Sequence, residues 1–129
     1  MRSTILSFLL MLLLGVSPVP ETPEKWLEKG QEAYEAKNYA EAVKCFSEAI
    51  ALNENDPDTH YQLGSAYFAQ GDTKPAANHF YQAGLLFLKN GDKGSALRAY
   101  TMLRRTNSKK LEKTLFEEMY PATKQNSCW

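Results

Sequence analysis

His60 and His79 are the two histidines of this chain, and Cys45 and Cys128 are its two cysteines. A metal site or a nucleophilic dyad would need further ligands or a base at suitable spacing. No Asp, Glu or Cys cluster stands beside either histidine in that way. The two histidines fall on different helical stretches, and His60 reads as a packed or half-exposed ring. The sequence holds no glycine loop for phosphate, no G-x-S-x-G elbow and no H-E-x-x-H pair. The residues therefore point to a non-enzyme with no metal and no cofactor. Cys45, beside Phe46, reads as a small and partly buried filler. A Cys45–Cys128 disulfide and an intermolecular bond through Cys128 both stay open.

The densest charged feature is the set Arg98, Arg104, Arg105, Lys109, Lys110 and Lys113. It has two readings: a solvated last helix pair, or a surface for an acidic partner or anionic lipid head groups. The chain has a formal net charge of zero over 129 residues, which does not suggest nucleic acid as a partner. That zero hides an asymmetry. Residues 21–72 carry eleven acids and four bases, whereas residues 73–129 carry four acids and ten bases. Such a dipole suits two solvated faces, or head-to-tail self-association into a homo-oligomer. With 43% hydrophobic and 23% charged residues, the composition is that of an ordinary globular domain.

These side chains must be positioned by the elements around them. Residues 1–20 form a segment of their own. Arg2 supplies positive charge, Ile5 to Val16 is apolar except for Ser7 and Gly15, and Ser17-Pro18-Val19-Pro20 follows. This is the n-region and h-region of an export signal, too short to cross a bilayer as a helix. A cleaved signal, an uncleaved inner-membrane anchor and a buried core segment are the three readings. The first two place the rest of the chain outside the cytoplasm, in the periplasm or on the inner membrane facing it.

Residues 21–120 read as six helices, and residues 121–129 as a loose tail. Thr22-Pro23-Glu24 is a cap, a first-turn proline and a first-turn acid. Asp56-Pro57 repeats that start. Asp72 or Thr73, Gly91-Asp92 and Ser108 mark later starts. Ala42, Val43, Phe46, Ala49 and Ile50 give one helical stripe. No stretch alternates like a strand, so the fold class is all-α, with short connections that make neighbours antiparallel.

Three segments overlay without gaps, beginning at Gly30, Gly64 and Gly84. Offset +7 holds Lys37, Gly71 and Gly91, and +8 holds Asn38, Asp72 and Asp92. Offset +12 holds alanine each time (42, 76, 96), and +16 holds Phe46, Phe80 and Tyr100. Small residues permit close helix approach, the aromatic fills a gap towards the next pair, and +7 or +8 must tolerate positive φ.

The 34-residue step from Gly30 to Gly64, with Trp26, Ala33, Tyr39 and Ala49 in register, resembles the tetratricopeptide repeat. The likeness covers Pro23 to Asn90. Lys29 and Glu54 depart from it, where the family usually has an apolar residue and proline. Gly84 follows Gly64 by only 20 residues, so one helix serves two copies. The resemblance implies a right-handed solenoid of about three antiparallel helix pairs: Thr22–Leu52, Pro57–Leu88 and Asp92–Tyr120. Trp26, Tyr67, Phe46, Phe80 and Tyr100 would be core.

By the same resemblance, the concave face maps to Leu27, Gln31, Tyr34 and Glu35 in the first repeat. In the second it maps to Tyr61, Ser65, Phe68 and Ala69. Leu27 and Gln31 stand where the family's carboxylate-clamp variety has its gripping residues, which argues against a chaperone C-terminal tail. The implied function is a non-catalytic adaptor for a peptide or protein partner. A self-associating structural subunit and an accessory scaffold of an envelope or secretion complex are the alternatives.

Overall fold

The structure is a computed structural model that describes residues 2–15 and 20–121. Among those residues every regular element is an α-helix. The order is α1 (Arg2–Leu13), α2 (Pro23–Glu35), α3 (Tyr39–Leu52), α4 (Pro57–Gln70), α5 (Thr73–Lys89), α6 (Lys93–Arg105) and α7 (Lys109–Met119). Residues 122–129, and with them Cys128 and its pairing, lie outside the described residues, as do positions 16–19 of the export-like segment.

The helix starts are made by short polar side chains. Thr22, Asn38, Asp56 and Asp92 each accept a backbone N–H of the following first turn. Each such cap stabilises a helix by about 1 kcal/mol. Asp72 and Ser108 occupy the expected cap positions but make no side-chain cap bond. Three of the turns share one design. Lys37, Gly71 and Gly91 sit at φ of 60°, 93° and 79°. The next residue then sends its N–H back to the carbonyl of Ala33, Tyr67 or Phe87. One left-handed residue followed by a capping residue reverses the chain in the space of a tight turn. The offset of +7 is thus the left-handed position, and +8 is the cap of the next helix.

Helices α2 and α3 pair, as do α4 and α5, and α3 joins the two pairs through α4. Glycine sets the closeness within each pair. A Cβ on Gly30 would lie 2.5 Å from the Phe46 ring, and one on Gly64 would lie 3.0 Å from the Phe80 ring. The aromatic at +16 therefore lies against the glycine of its own repeat, with Phe46 and Phe80 fully buried. Leu63 and Ala66 of α4 close over Ala42 and Phe46 and join the pairs.

The last pair departs from this plan. A Cβ on Gly84 would meet Leu115 of α7 at 2.6 Å, not Tyr100. Tyr100 is half-buried and packs beside Phe116, ring centroids 6.0 Å apart. The reason lies in α6. Eight residues after the caps Thr22 and Asp56 come Gly30 and Gly64, but eight residues after Asp92 comes Tyr100. A ring there prevents the close approach, so α7 packs more lightly and divides its contacts between α5 and α6. Leu115 and Met119 still reach the cluster of Phe80 and Leu103. Trp26 and Tyr67, expected in the core, are only half-buried.

The described α1 leucines are exposed, from 58% at Leu9 to 78% at Leu13, so α1 is not part of the array's core. Among the described residues no helix is long and apolar enough to cross a membrane.

Candidate protein-binding groove

The helices α2, α4 and α6 leave an open groove of about 350 Å³ between them. Gln31 and Tyr34 line it from α2, and Asp58, Tyr61, Gln62 and Ser65 from α4. Arg98 closes it from α6, and Phe46 forms part of the floor. On α4 the lining residues follow i, i+3, i+4, i+7, which is one helix stripe.

Three of these side chains are held from behind. Tyr34 is 37% exposed and meets Tyr39 edge-on, centroids 5.3 Å apart. Tyr61 stands edge-on to Phe80 at 5.5 Å, so its inner edge is core and its outer edge is groove. The Arg98 guanidinium lies 6.0 Å from the Tyr61 ring centroid. That cation is aimed by a relay from the start of α6. The Asp92 carboxylate accepts the Ser95 backbone N–H, and the Arg98 guanidinium donates to Ser95 Oγ at 2.8 Å. The Ser95 side-chain and backbone hydrogen bonds hold the Asp92 carboxyl below the usual carboxylate range, with a smaller contribution from Arg98. The result is two tyrosine edges, two amides, one cation and one carboxylate on one surface. Such a set offers stacking area and hydrogen bonds to a peptide.

Four of the eight groove residues expected from sequence line this groove: Gln31, Tyr34, Tyr61 and Ser65. The other four do not. Leu27 packs against the Phe46 cluster and Phe68 against the Phe80 cluster. Glu35 and Ala69 are exposed but stand outside the lining. The groove on α4 lies one turn earlier than expected, which brings in Asp58 and Gln62. The position of Asp58, three residues before Tyr61, was the available signal.

The six cations do not form one patch. Arg98 faces the groove, and Arg105 lies over the Phe68 ring at 5.1 Å. Arg104 and Lys109 both reach Glu112 at 3.3 Å, and Lys113 reaches Glu117 at 3.8 Å. Lys110 is exposed. Arg98 and Arg104 are six residues apart, which separates them by about 120° around the helix.

The histidines are paired, which their separation in sequence does not reveal. The two Nδ1 atoms are 3.2 Å apart, and His60 Nε2 lies 2.9 Å from the Glu54 carbonyl. A carbonyl only accepts, so His60 Nε2 carries a proton, and the two Nδ1 atoms share one proton in the bond between the rings. His79 also stacks on Tyr67 at 5.7 Å. Burial, and then the neighbouring His60, push the His79 imidazole down to about 4. Among the described residues no group of three or more His, Cys, Asp or Glu could hold a metal ion. Cys45 is buried, and burial followed by the Glu41 carboxylate pushes its thiol up.

Residues 30–71 match a family model described as TPR repeat. The chain is 28% identical over 61 residues to the TPR repeat-containing protein YsoA of Bacillus subtilis (strain 168). That match takes in 47% of this chain and 18% of the relative, so the chain spans less than a fifth of that protein. Among solved structures it is similar to the Sgt2 TPR domain from Aspergillus fumigatus. The TM-score is 0.45 at 20% identity, over 82% of this chain and 83% of that one.

Proposed function

We propose that the chain is a tetratricopeptide-repeat adaptor that holds a peptide segment of a protein partner in the α2–α4–α6 groove. The repeat fold is typically a non-catalytic interaction scaffold. The observation that carries the reading is the pair of tyrosines, Tyr34 and Tyr61, which are anchored in packing and still open to the groove. Rigid aromatic edges supply contact area at low entropic cost. Arg98 and Asp58 at the groove would choose the charge pattern of the segment. Tyr34, Tyr61, Gln31 and Ser65 would act together, with Gln62 adding a second amide.

The reading extends to location. Arg2 and the apolar run from Ile5 to Val16 support export, with the repeats outside the cytoplasm.

A photo-crosslinking residue placed at Tyr34 tests the groove, with one at the exposed Lys44 as control. The expected result is a partner adduct from position 34 that is absent from position 44, and that is lost in Arg98→Glu. Equal adducts from both positions would remove the groove from the reading. Intact mass of the soluble and membrane fractions tests the location. Recovery of the full chain in the cytosol would overturn export.

A further inference from the structure

A second surface lies on the last helix pair, away from the groove. On α6, Lys93, Leu97, Tyr100 and Arg104 are spaced i, i+4, i+7, i+11 and form one stripe. On α7, Lys109, Lys113, Phe116 and Tyr120 are spaced in the same way. The helices are antiparallel, so the stripes meet in opposite order. Leu97 and Tyr120 share one shallow hollow with Lys93, and Tyr100 and Phe116 share the next with Lys109, Glu112 and Lys113. Phe116 stacks between the two tyrosines, at 6.0 Å from Tyr100 and 5.0 Å from Tyr120. The face is therefore an apolar, aromatic middle with Lys93 at one end and Arg104, Lys109 and Lys113 at the other, where Glu112 and Glu117 pair with them and leave the four cations in excess over two acids. Leu97, Phe116 and Tyr120 are 46%, 46% and 55% exposed there.

We propose that this face docks on an anionic lipid bilayer surface. Tyrosine and phenylalanine with lysines at the edge suit the head-group layer, where rings enter and long cationic stems reach the phosphates. The same chain carries α1, a 12-residue apolar helix with exposed leucines, too short to span. One short apolar element and one aromatic face with a modest excess of cations are each weak alone, and together they make a stable attachment. A second copy fits less well. Four partly exposed side chains fall short of the roughly 800 Å² per partner of a standard interface. The inference concerns a surface separate from the groove and does not rest on the peptide reading.

The test uses the full chain with two vesicle types, pure phosphatidylcholine and phosphatidylcholine with about a third phosphatidylglycerol. Because α1 would partition into both, the readout is the ratio of the two binding constants. The expected ratio is at least about fivefold at ~0.1 M salt and falls towards one at high salt. Lys93→Gln with Lys109→Gln and Lys113→Gln should bring the ratio close to one. Phe116→Ser with Tyr120→Ser should weaken anionic binding at least about threefold, with the helical circular dichroism and melting kept. Leu97→Glu serves as a second apolar variant, should the serine pair lose its fold. A ratio of one in the natural chain would overturn the proposal. So would undiminished binding in the folded variants. A concentration-dependent dimer, or capture of an acidic helical peptide, that these variants abolish while vesicle binding persists would also overturn it. Crosslinking at Tyr34 should be unchanged in every variant, which separates this surface from the groove.

Discussion

The first two helix pairs and the last are started by the same chemistry and closed by different chemistry. In the first two, a glycine lies under a phenylalanine, Gly30 under Phe46 and Gly64 under Phe80. In the last, Tyr100 stands where the glycine would be, and Leu115 crosses instead to Gly84 on α5. One residue type at one helix position thus decides whether two helices close tightly or lean on a neighbour. The difference also has a surface consequence. The lean of α7 leaves Phe116 and Tyr120 outside, whereas the corresponding space in the earlier pairs is filled.

The sharpest test of that contrast is a pair of truncations. Phe80→Ala should destabilise by about 3–5 kcal/mol, because the ring is fully buried and leaves a cavity. Tyr100→Ala should cost less, about 1–2 kcal/mol, since its ring is only partly buried. Urea unfolding of both variants would break the comparison if the two losses were equal.

Methyl groups added at the glycines probe the same contacts from the other side. Gly30→Ala and Gly64→Ala should each cost about 1–3 kcal/mol by overpacking against a buried ring. Gly64→Ala should cost least and Gly84→Ala about as much as Gly30→Ala, because the nearest side-chain atoms stand 3.0 Å away at Gly64 but 2.6 Å at Gly84, where the buried Leu115 has no room to move, and 2.5 Å at Gly30. Melting temperatures of the three would rank them.

Acid should act on the second pair through His79. Its ordinary value near 6.5 is pushed down to about 4 in the fold, so the folded state favours the neutral ring. The unfolded chain binds that proton first as pH falls below 6.5. Stability is therefore full above that value and declines as pH drops towards 4. His79→Phe should flatten the decline by roughly 1 kcal/mol, an amount reduced by the ring's partial exposure. Denaturation at pH 7 and pH 4.5 reads the difference, and an identical decline in the variant would remove the role.

The turns give the smallest effects. Lys37 holds at φ 60° the place that Gly71 and Gly91 hold elsewhere. Lys37→Gly should stabilise by about 0.5–1 kcal/mol, and Gly71→Ala should destabilise by about 1 kcal/mol. Thermal melts that moved both in one direction would break the equivalence of these turns.

Much of this was legible in the residues. The caps, the left-handed positions and the glycine–aromatic offset of the first two repeats follow from local backbone needs, and local needs leave local marks. Of the eight residues mapped to a concave face, four line the groove between α2, α4 and α6, whereas Leu27 and Phe68 pack against the Phe46 and Phe80 clusters. Burial is set by what neighbouring helices cover, and periodicity alone does not carry that information. The cations illustrate the same limit. Six of them look like one cluster along the chain, yet the helix rotation between Arg98 and Arg104 sends them to different faces.

By itself the sequence determined an all-helical chain, its helix ends, its reversals and its glycine–aromatic repeat, because each depends on residues close together in the chain. Only the tertiary structure decided that His60 and His79 share a hydrogen bond, that Leu115 rather than Tyr100 fills the space at Gly84, and that Arg98 looks into the groove. Those contacts join residues 19 to 31 or more positions apart, on separate helices, and depend on how closely the helices approach. That approach is a steric outcome of all the packed side chains together, and no single stretch of the chain contains it.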